Sequence, residues 1–122
     1  MKDFFTAVKD RRTYYSISKA SPVSDERIRE IVEFAVKHVP SPFNCQSGRA
    51  VLLLGPSSDE FWSIVKESLR KIVPAEKFAP TEEKIKGFAA GYGTVLFFED
   101  NRPVRELQEN FPTYAEHFPV WS

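Results

Sequence analysis

Three stretches of this sequence hold residue types whose chemistry goes beyond packing. The first is Arg11-Arg12-Thr13. Its guanidiniums are planar, permanently charged donor forks and its hydroxyl adds another donor, a set suited to a phosphate. The same arginines also serve as helix-end cations that complement a C-terminal dipole, and the two roles are compatible. The second stretch is Pro40-Ser41-Pro42-Phe43-Asn44-Cys45-Gln46-Ser47. Its prolines stiffen the backbone, while Ser, Asn and Gln both donate and accept hydrogen bonds. Such groups can read the edge of a heterocycle with alternating donors and acceptors, and they are equally the residues of an ordinary turn. The third is the aromatic tail carrying Phe111, Pro112, Tyr114, Phe118, Pro119 and Trp121, whose spacing fits no long helix face. An apolar segment of that kind packs on a partner or covers a pocket.

Other chemistries find less support. Cys45 is the one cysteine, so no disulfide framework forms within the chain, and a reduced cytoplasmic setting is expected. His38 is the histidine nearest to it in sequence, and a buried structural thiol is favoured over a nucleophile. No Cys/His grouping has zinc spacing, and no metal site is expected. Gly91-Tyr92-Gly93 precedes a strand rather than linking strand to helix, so it reads as a helix end and turn, not a dinucleotide fingerprint. Asp59, Glu60, Glu82 and Glu83 fall in expected first helical turns, where partnering the dipole is the favoured role over acid–base work. No side chain is assigned a catalytic acid or base role.

The elements that must position these groups follow from periodicity. A helix is expected over roughly Lys2–Arg11, with Phe4, Phe5 and Val8 on one side. Ser24 caps a second helix whose stripe is Ile28, Ile31, Val32, Ala35 and Val39, and Pro40 and Pro42 stop it. Ala50–Leu54 and Thr94–Phe98 are apolar without alternation, the pattern of strands covered on both faces. Between them lie a helix opened by a Ser57/Glu60 capping box, with Phe61, Ile64, Val65, Leu69, Ile72 and Val73, and another capped by Thr81, with Ile85, Phe88 and Ala89. A last helix spans Asn101 to Phe111. The order is helix, helix, strand, helix, helix, strand, helix. Two strands make a poor sheet, so further strands are expected from a missing part, another chain or the loops.

The chain has 122 residues, suited to a single domain over 1–122. Lys plus Arg and Asp plus Glu number 17 each, and a net charge of +0 argues against a dedicated nucleic-acid or polybasic membrane binder. The longest apolar runs are far too short to span a bilayer. Eleven Phe is a high count and asks for a Phe-rich core or a flat apolar ligand. Unalternated strands and an aromatic tail leave too much apolar surface for a monomer, so a homodimer is expected.

Taken in order, Arg11-Arg12-Thr13, the Pro-Ser-x-x-Asn-x-Gln element Pro40–Gln46 and the buried strand after it resemble the nitroreductase family of flavoproteins. Residues 88–100 and 114–122 resemble its small bacterial and fungal branch of the fatty-acid-repression-mutant type, so the resemblance runs through essentially the whole chain. It implies an α+β sandwich, with helices around a mainly antiparallel sheet, built as an intertwined homodimer. It also implies FMN at the dimer interface and NAD(P)H-driven reduction of nitroaromatics, quinones or related small-molecule acceptors.

By that resemblance Arg11 and Arg12 contact the FMN phosphate and ribityl side, and Thr13 adds its hydroxyl. Tyr15 stands where many relatives carry a basic ring-contacting residue. Pro40, Ser41 and Pro42 lie along the flavin from the other subunit, Asn44 contacts it, and Gln46 is a further cofactor-binding candidate. The flavin itself carries the hydride, so the protein positions and tunes. Family members are longer, and this sequence stops at Trp121-Ser122 inside the family's pattern, which reads as a C-terminally truncated form. Two alternatives stand beside the flavoenzyme. One is a non-catalytic dimerising module that kept the fold's first half and lost flavin binding; the other is a binding protein for small apolar or lipid ligands.

Overall fold

The structure is a computed structural model that describes residues 1–121. The Trp121 side chain and Ser122, at the end of the aromatic tail, lie outside the described residues. The helices and strands run α1 (Phe4–Asp10), α2 (Asp25–His38), β1 (Gly48–Leu54), α3 (Pro56–Arg70), α4 (Phe78–Ala89), β2 (Gly93–Glu99), α5 (Asn101–Asn110) and α6 (Phe118–Trp121). Short 3-10 turns occupy Pro42–Asn44, Ala75–Lys77 and Pro112–Tyr114. The chain forms two compact units. One joins Met1–Ala20 to Pro56–Tyr92, and the other joins Ser21–Gly55 to the chain from Gly93 onward.

In the first unit, α1 is capped by Asp3, whose carboxylate accepts from Thr6 N–H at 3.0 Å. α3 begins at Pro56 rather than at a Ser57 cap, directly after Gly55 in left-handed conformation (φ 53°). Proline suits the first helical position because its φ is pre-set and its missing N–H has no helical partner there. Similarly α4 starts at Phe78, so Thr81 lies inside the helix instead of capping it. The preceding 3-10 turn carries the chain straight into helical conformation, with no side-chain cap at Lys77. α3 and α4 pack together. Ile85 and Phe78 are buried, the Arg70 guanidinium lies 5.2 Å over the Phe78 ring, and Lys66 pairs with Glu82 at 2.6 Å. That ion pair holds the Glu82 carboxyl below its usual pKa. The link after α1 is tied to the same unit by Lys19–Asp59 at 2.6 Å and by Ile17 against Gly91.

In the second unit, Ser24 caps α2 as expected, accepting from Arg27 N–H at 3.2 Å. α2 packs against β1, and β1 pairs antiparallel with β2 from Gly48↔Glu99 to Leu54↔Gly93. Gly93 is required at its end of the ladder. A Cβ there would lie 2.6 Å from Leu54 Cδ2 and 2.8 Å from the Leu53 carbonyl oxygen. At the other end the Asp100 N–H donates to the Ser47 carbonyl at 2.8 Å, and the buried Ser47 hydroxyl reaches Glu99 at 3.4 Å. Asp100 then caps α5: its carboxylate accepts from Arg102 N–H (3.1 Å) and Arg102 Nη2 (2.6 Å), and pairs with Arg49 at 3.2 Å. The tail supplies the largest fully buried side chain among the described residues of this unit, Phe118.

The strands depart from expectation in one respect. Among the described residues they form a two-stranded sheet that is not covered on both faces. Phe97, 78% exposed, leaves on one face; Val51 and Phe98 are exposed on the other. Ile31 and Phe34 of α2 and the Val39 that follows it are likewise exposed, as are Phe4, Phe5 and Val8 of α1. The apolar patterning is that of covered elements, but two strands and the helices of these units do not supply the second cover. The fold is α+β with an antiparallel sheet.

Asp100 generates the first prediction. Its hydrogen bonds to Arg102, then the nearby charges of Arg102 and Arg49, hold its carboxyl well below the usual 3.8. A depressed carboxylate pKa adds stability that is complete above the unfolded value and drains away as pH falls below it. Asp100→Asn should therefore unfold at a lower temperature than wild type at neutral pH. The gap should shrink as pH drops to about 3 and below. Thermal melts followed by circular dichroism across that range read the difference.

Candidate functional site

Arg11 and Arg12 stand at the C-terminal end of α1, where the last carbonyls of the helix have no helical partner. Arg12 turns back on them, donating from Nη1 to the Lys9 carbonyl (3.0 Å) and the Arg11 carbonyl (2.9 Å). The Arg11 guanidinium and the Thr13 hydroxyl are exposed and make no hydrogen bond or ion pair among the described residues. Both remain available to an anion.

Tyr15 belongs to a cavity. Together with Glu83, Lys84, Gly87 and Phe88 it lines a cleft of about 480 Å³ in the first unit. That size falls in the ordinary range for small-molecule sites. Phe88 stacks on Trp62 at 5.4 Å, which fixes one wall. Glu83 is paired with Lys86 at 2.9 Å, whereas the Lys84 ammonium and the Tyr15 hydroxyl have no partner among the described residues. The cleft is thus mostly apolar, and two of its lining residues carry a cation and a phenol without partners among the described residues. Lys84 and Gly87 were not among the residues singled out from sequence, and Phe88 was read there only as part of the apolar stripe of its helix. The signal was present: they stand at i, i+3 and i+4 on α4, one helix face, with a glycine in mid-helix. A Cβ at Gly87 would meet nothing within 4 Å, so packing does not demand glycine here.

The loop before β1 lies in the second unit. Ser41 organises it: its carbonyl accepts from Asn44 N–H and its hydroxyl from Gln46 N–H, both at 3.0 Å. Pro40 follows α2, and Pro42 opens the 3-10 turn. Phe43, Asn44 and Gln46 take left-handed φ of 51°, 54° and 50°. Such a conformation costs a non-glycine residue about 1 kcal/mol, less for asparagine. The carboxamides of Asn44 and Gln46 are exposed and unpartnered among the described residues. Arg49 donates to the Gln46 carbonyl at 2.8 Å and to the Gly48 carbonyl at 2.9 Å, holding the loop's exit.

The remaining candidates take structural places. The Cys45 thiol lies 3.6 Å from the Ser47 hydroxyl, while His38 packs its ring on Phe34 at 4.4 Å, so the two form no pair. Asp59, Glu82 and Glu83 are each committed to a lysine. Among the described residues no grouping of His, Cys, Asp and Glu could hold a metal ion. Among the described residues no helix is long and apolar enough to cross a membrane.

A model of the nitroreductase family matches residues 8–122. The chain belongs to the nitroreductase family. Nitroreductase FRM2 of Saccharomyces cerevisiae is 30% identical over 120 residues, covering 97% of this chain and 59% of FRM2. Among solved structures, the nitroreductase CinD from Lactococcus lactis in complex with chloramphenicol superposes with a TM-score of 0.77 at 38% identity. That match covers 98% of this chain and 59% of CinD. An Exiguobacterium sibiricum protein solved in complex with FMN shares the fold at TM-score 0.59 and 20% identity, over 95% of this chain and 48% of that one. This nitroreductase chain thus spans about three-fifths of FRM2 and of CinD.

Gly87 generates a prediction about the cleft. Gly87→Ala should stabilise the protein by roughly 0.5–1 kcal/mol, since alanine is the better helix former and its methyl meets open space. Chemical denaturation read by tryptophan fluorescence measures it. A destabilised variant would mean that the space at Gly87 is already used in the folded protein.

Proposed function

We propose that this nitroreductase chain is the flavin-binding part of an FMN-dependent oxidoreductase that uses NAD(P)H to reduce nitroaromatic, quinone or similar acceptors. One observation carries the reading: in the first unit Tyr15, Lys84 and Phe88 line one apolar cleft of about 480 Å³, and the Lys84 ammonium and Tyr15 hydroxyl have no partner among the described residues. A flat heterocycle with acceptor atoms along one edge suits such a wall and such donors.

The residues present fit FMN. Arg11 and Thr13, both unpartnered, suit a phosphate and the polyol next to it. Lys84 and Tyr15 suit the acceptor edge of the ring, and Asn44 and Gln46 of a second copy would offer carboxamides to the same class of edge. When bound, FMN supplies the hydride chemistry. The chain's own residues then bind and orient. Arg11 neutralises anionic charge, and Phe88, backed by Trp62, keeps water off one side of the cleft. Lys84 would offer positive charge to a bound ring that gains electron density. CinD was also solved in complex with 4-nitrophenol, which supports a nitroaromatic acceptor. The lone free thiol of Cys45 agrees with a reduced cytoplasmic setting.

We further propose that a second copy of the chain covers the apolar side chains exposed on α1, α2 and the sheet. Phe4, Phe5, Phe34, Phe97 and Phe98 are among the large apolar side chains exposed there, the kind of surface that a partner covers. The same feature favours the second reading, a dimerising module without flavin affinity, and binding data separate the two.

The wild-type chain should quench FMN fluorescence saturably. Arg11→Ala and Lys84→Ala should each weaken the dissociation constant about tenfold, as expected for loss of one charge-assisted contact. A wild-type chain that leaves FMN fluorescence unchanged discards the flavin reading and leaves the dimerising module. Sedimentation equilibrium should return twice the chain mass of 14.0 kDa. A single species of 14.0 kDa rejects the dimer.

A further inference from the structure

Non-glycine residues seldom adopt left-handed backbone, yet Phe43, Asn44 and Gln46 all do so within one loop. Asparagine accepts this conformation readily; phenylalanine does not. The loop's own hydrogen bonds are Asn44 N–H to the Ser41 carbonyl, Cys45 N–H to the Pro42 carbonyl and Gln46 N–H to the Ser41 hydroxyl, each at 3.0 Å. They lie near the surface, where water competes for the same donors, and their net contribution is small. Contacts from outside the loop are the other means of holding Phe43 in place.

The Phe43 ring provides the handle. It stacks on Phe111 with centroids 4.7 Å apart and planes at 24°, and meets Phe118 edge-on at 5.8 Å. Phe111 and Phe118 in turn contact each other at 6.4 Å and 62°. Phe118 is fully buried, so this corner of the cluster is rooted in the interior of the second unit. Gln108 fastens the segment that carries it, donating from Nε2 to the Ala115 carbonyl at 2.9 Å.

We propose that Phe111 and Phe118 are positioning residues: with Phe43 they form a three-ring clamp that holds the loop in its left-handed conformation. The clamp thereby sets the directions in which the Asn44 and Gln46 carboxamides leave the backbone. A loop without the clamp relaxes toward ordinary φ values, and its carboxamides then sample many directions. The ligand class that needs fixed carboxamides is a planar heterocycle whose edge alternates donors and acceptors. The identity of that heterocycle as FMN rests on the reading above; the clamping of the loop does not.

The test uses the full chain and three variants. Phe111 is exposed, so Phe111→Ala removes the stacking ring without emptying a closed core, and Phe111→Tyr keeps the ring. Leu52→Ala in mid-strand is the control for a general loss of stability. Amide hydrogen exchange by NMR reads the N–H groups of Asn44, Cys45 and Gln46. In Phe111→Ala these should exchange about tenfold faster, with wild-type rates in Phe111→Tyr and no selective change in Leu52→Ala. FMN dissociation constants should follow the same order, weakening about tenfold in Phe111→Ala and recovering in Phe111→Tyr. Exchange within about threefold of wild type in Phe111→Ala, or an equal rise in Leu52→Ala, overturns the proposal. A wild-type chain that binds no FMN removes the flavin reading, and the exchange rates then decide the clamp by themselves.

Discussion

The register of β1 on β2 is the constraint on which the second unit depends. Gly93 opposite Leu54 closes one end, because any side chain there would strike the Leu53 carbonyl. The Asp100 N–H on the Ser47 carbonyl closes the other. A slip of one residue would turn every side chain to the opposite face and break both closures. Once the register is set, the loop through Ser47 ends at a fixed point and α5 starts at one. The polypeptide that follows α5 then reaches back to lay Phe111 and Phe118 on Phe43.

A second theme is the quantity of unsatisfied chemistry. Arg11, Thr13, Tyr15, Lys84, Asn44 and Gln46 hold donors with no partner among the described residues. Other polar groups of the same types are committed: Arg12 to helix carbonyls, Lys66 to Glu82, and Arg49 to the loop carbonyls and Asp100. Free donors cost little while water solvates them, and they can be given to a ligand without first breaking an internal bond. The apolar side chains left on α1, α2 and both sheet faces are the complementary feature, because such surface is stabilised only when something covers it.

Much of the architecture was legible in the sequence. The Ser24 cap and the stripe behind it locate α2, and two runs of consecutive apolar residues locate the strands, of which β1 begins at Gly48, ahead of the run. The starts of α3 and α4 were misplaced, since Ser57 and Thr81 look like caps but Pro56 and a leading 3-10 turn start the helices earlier. The aromatic tail illustrates the other kind of difference. Its irregular spacing indicated packing rather than a helix face, but the surface it packs on includes the chain's own loop.

Local patterning determined the element types, the donor-rich stretches and, through their order, the family to which the chain belongs. These are properties of neighbouring residues, and neighbouring residues carry them in any context. The pairing register, the grouping of Tyr15 with Lys84 and Phe88, and the clamp on Phe43 were decided only by tertiary structure. Each joins residues far apart in the chain, so each depends on loop closures and shape complementarity that no local pattern encodes. The left-handed backbone at Phe43 shows the difference most clearly. Its local preference runs against that conformation, and contacts from the far end of the chain prevail.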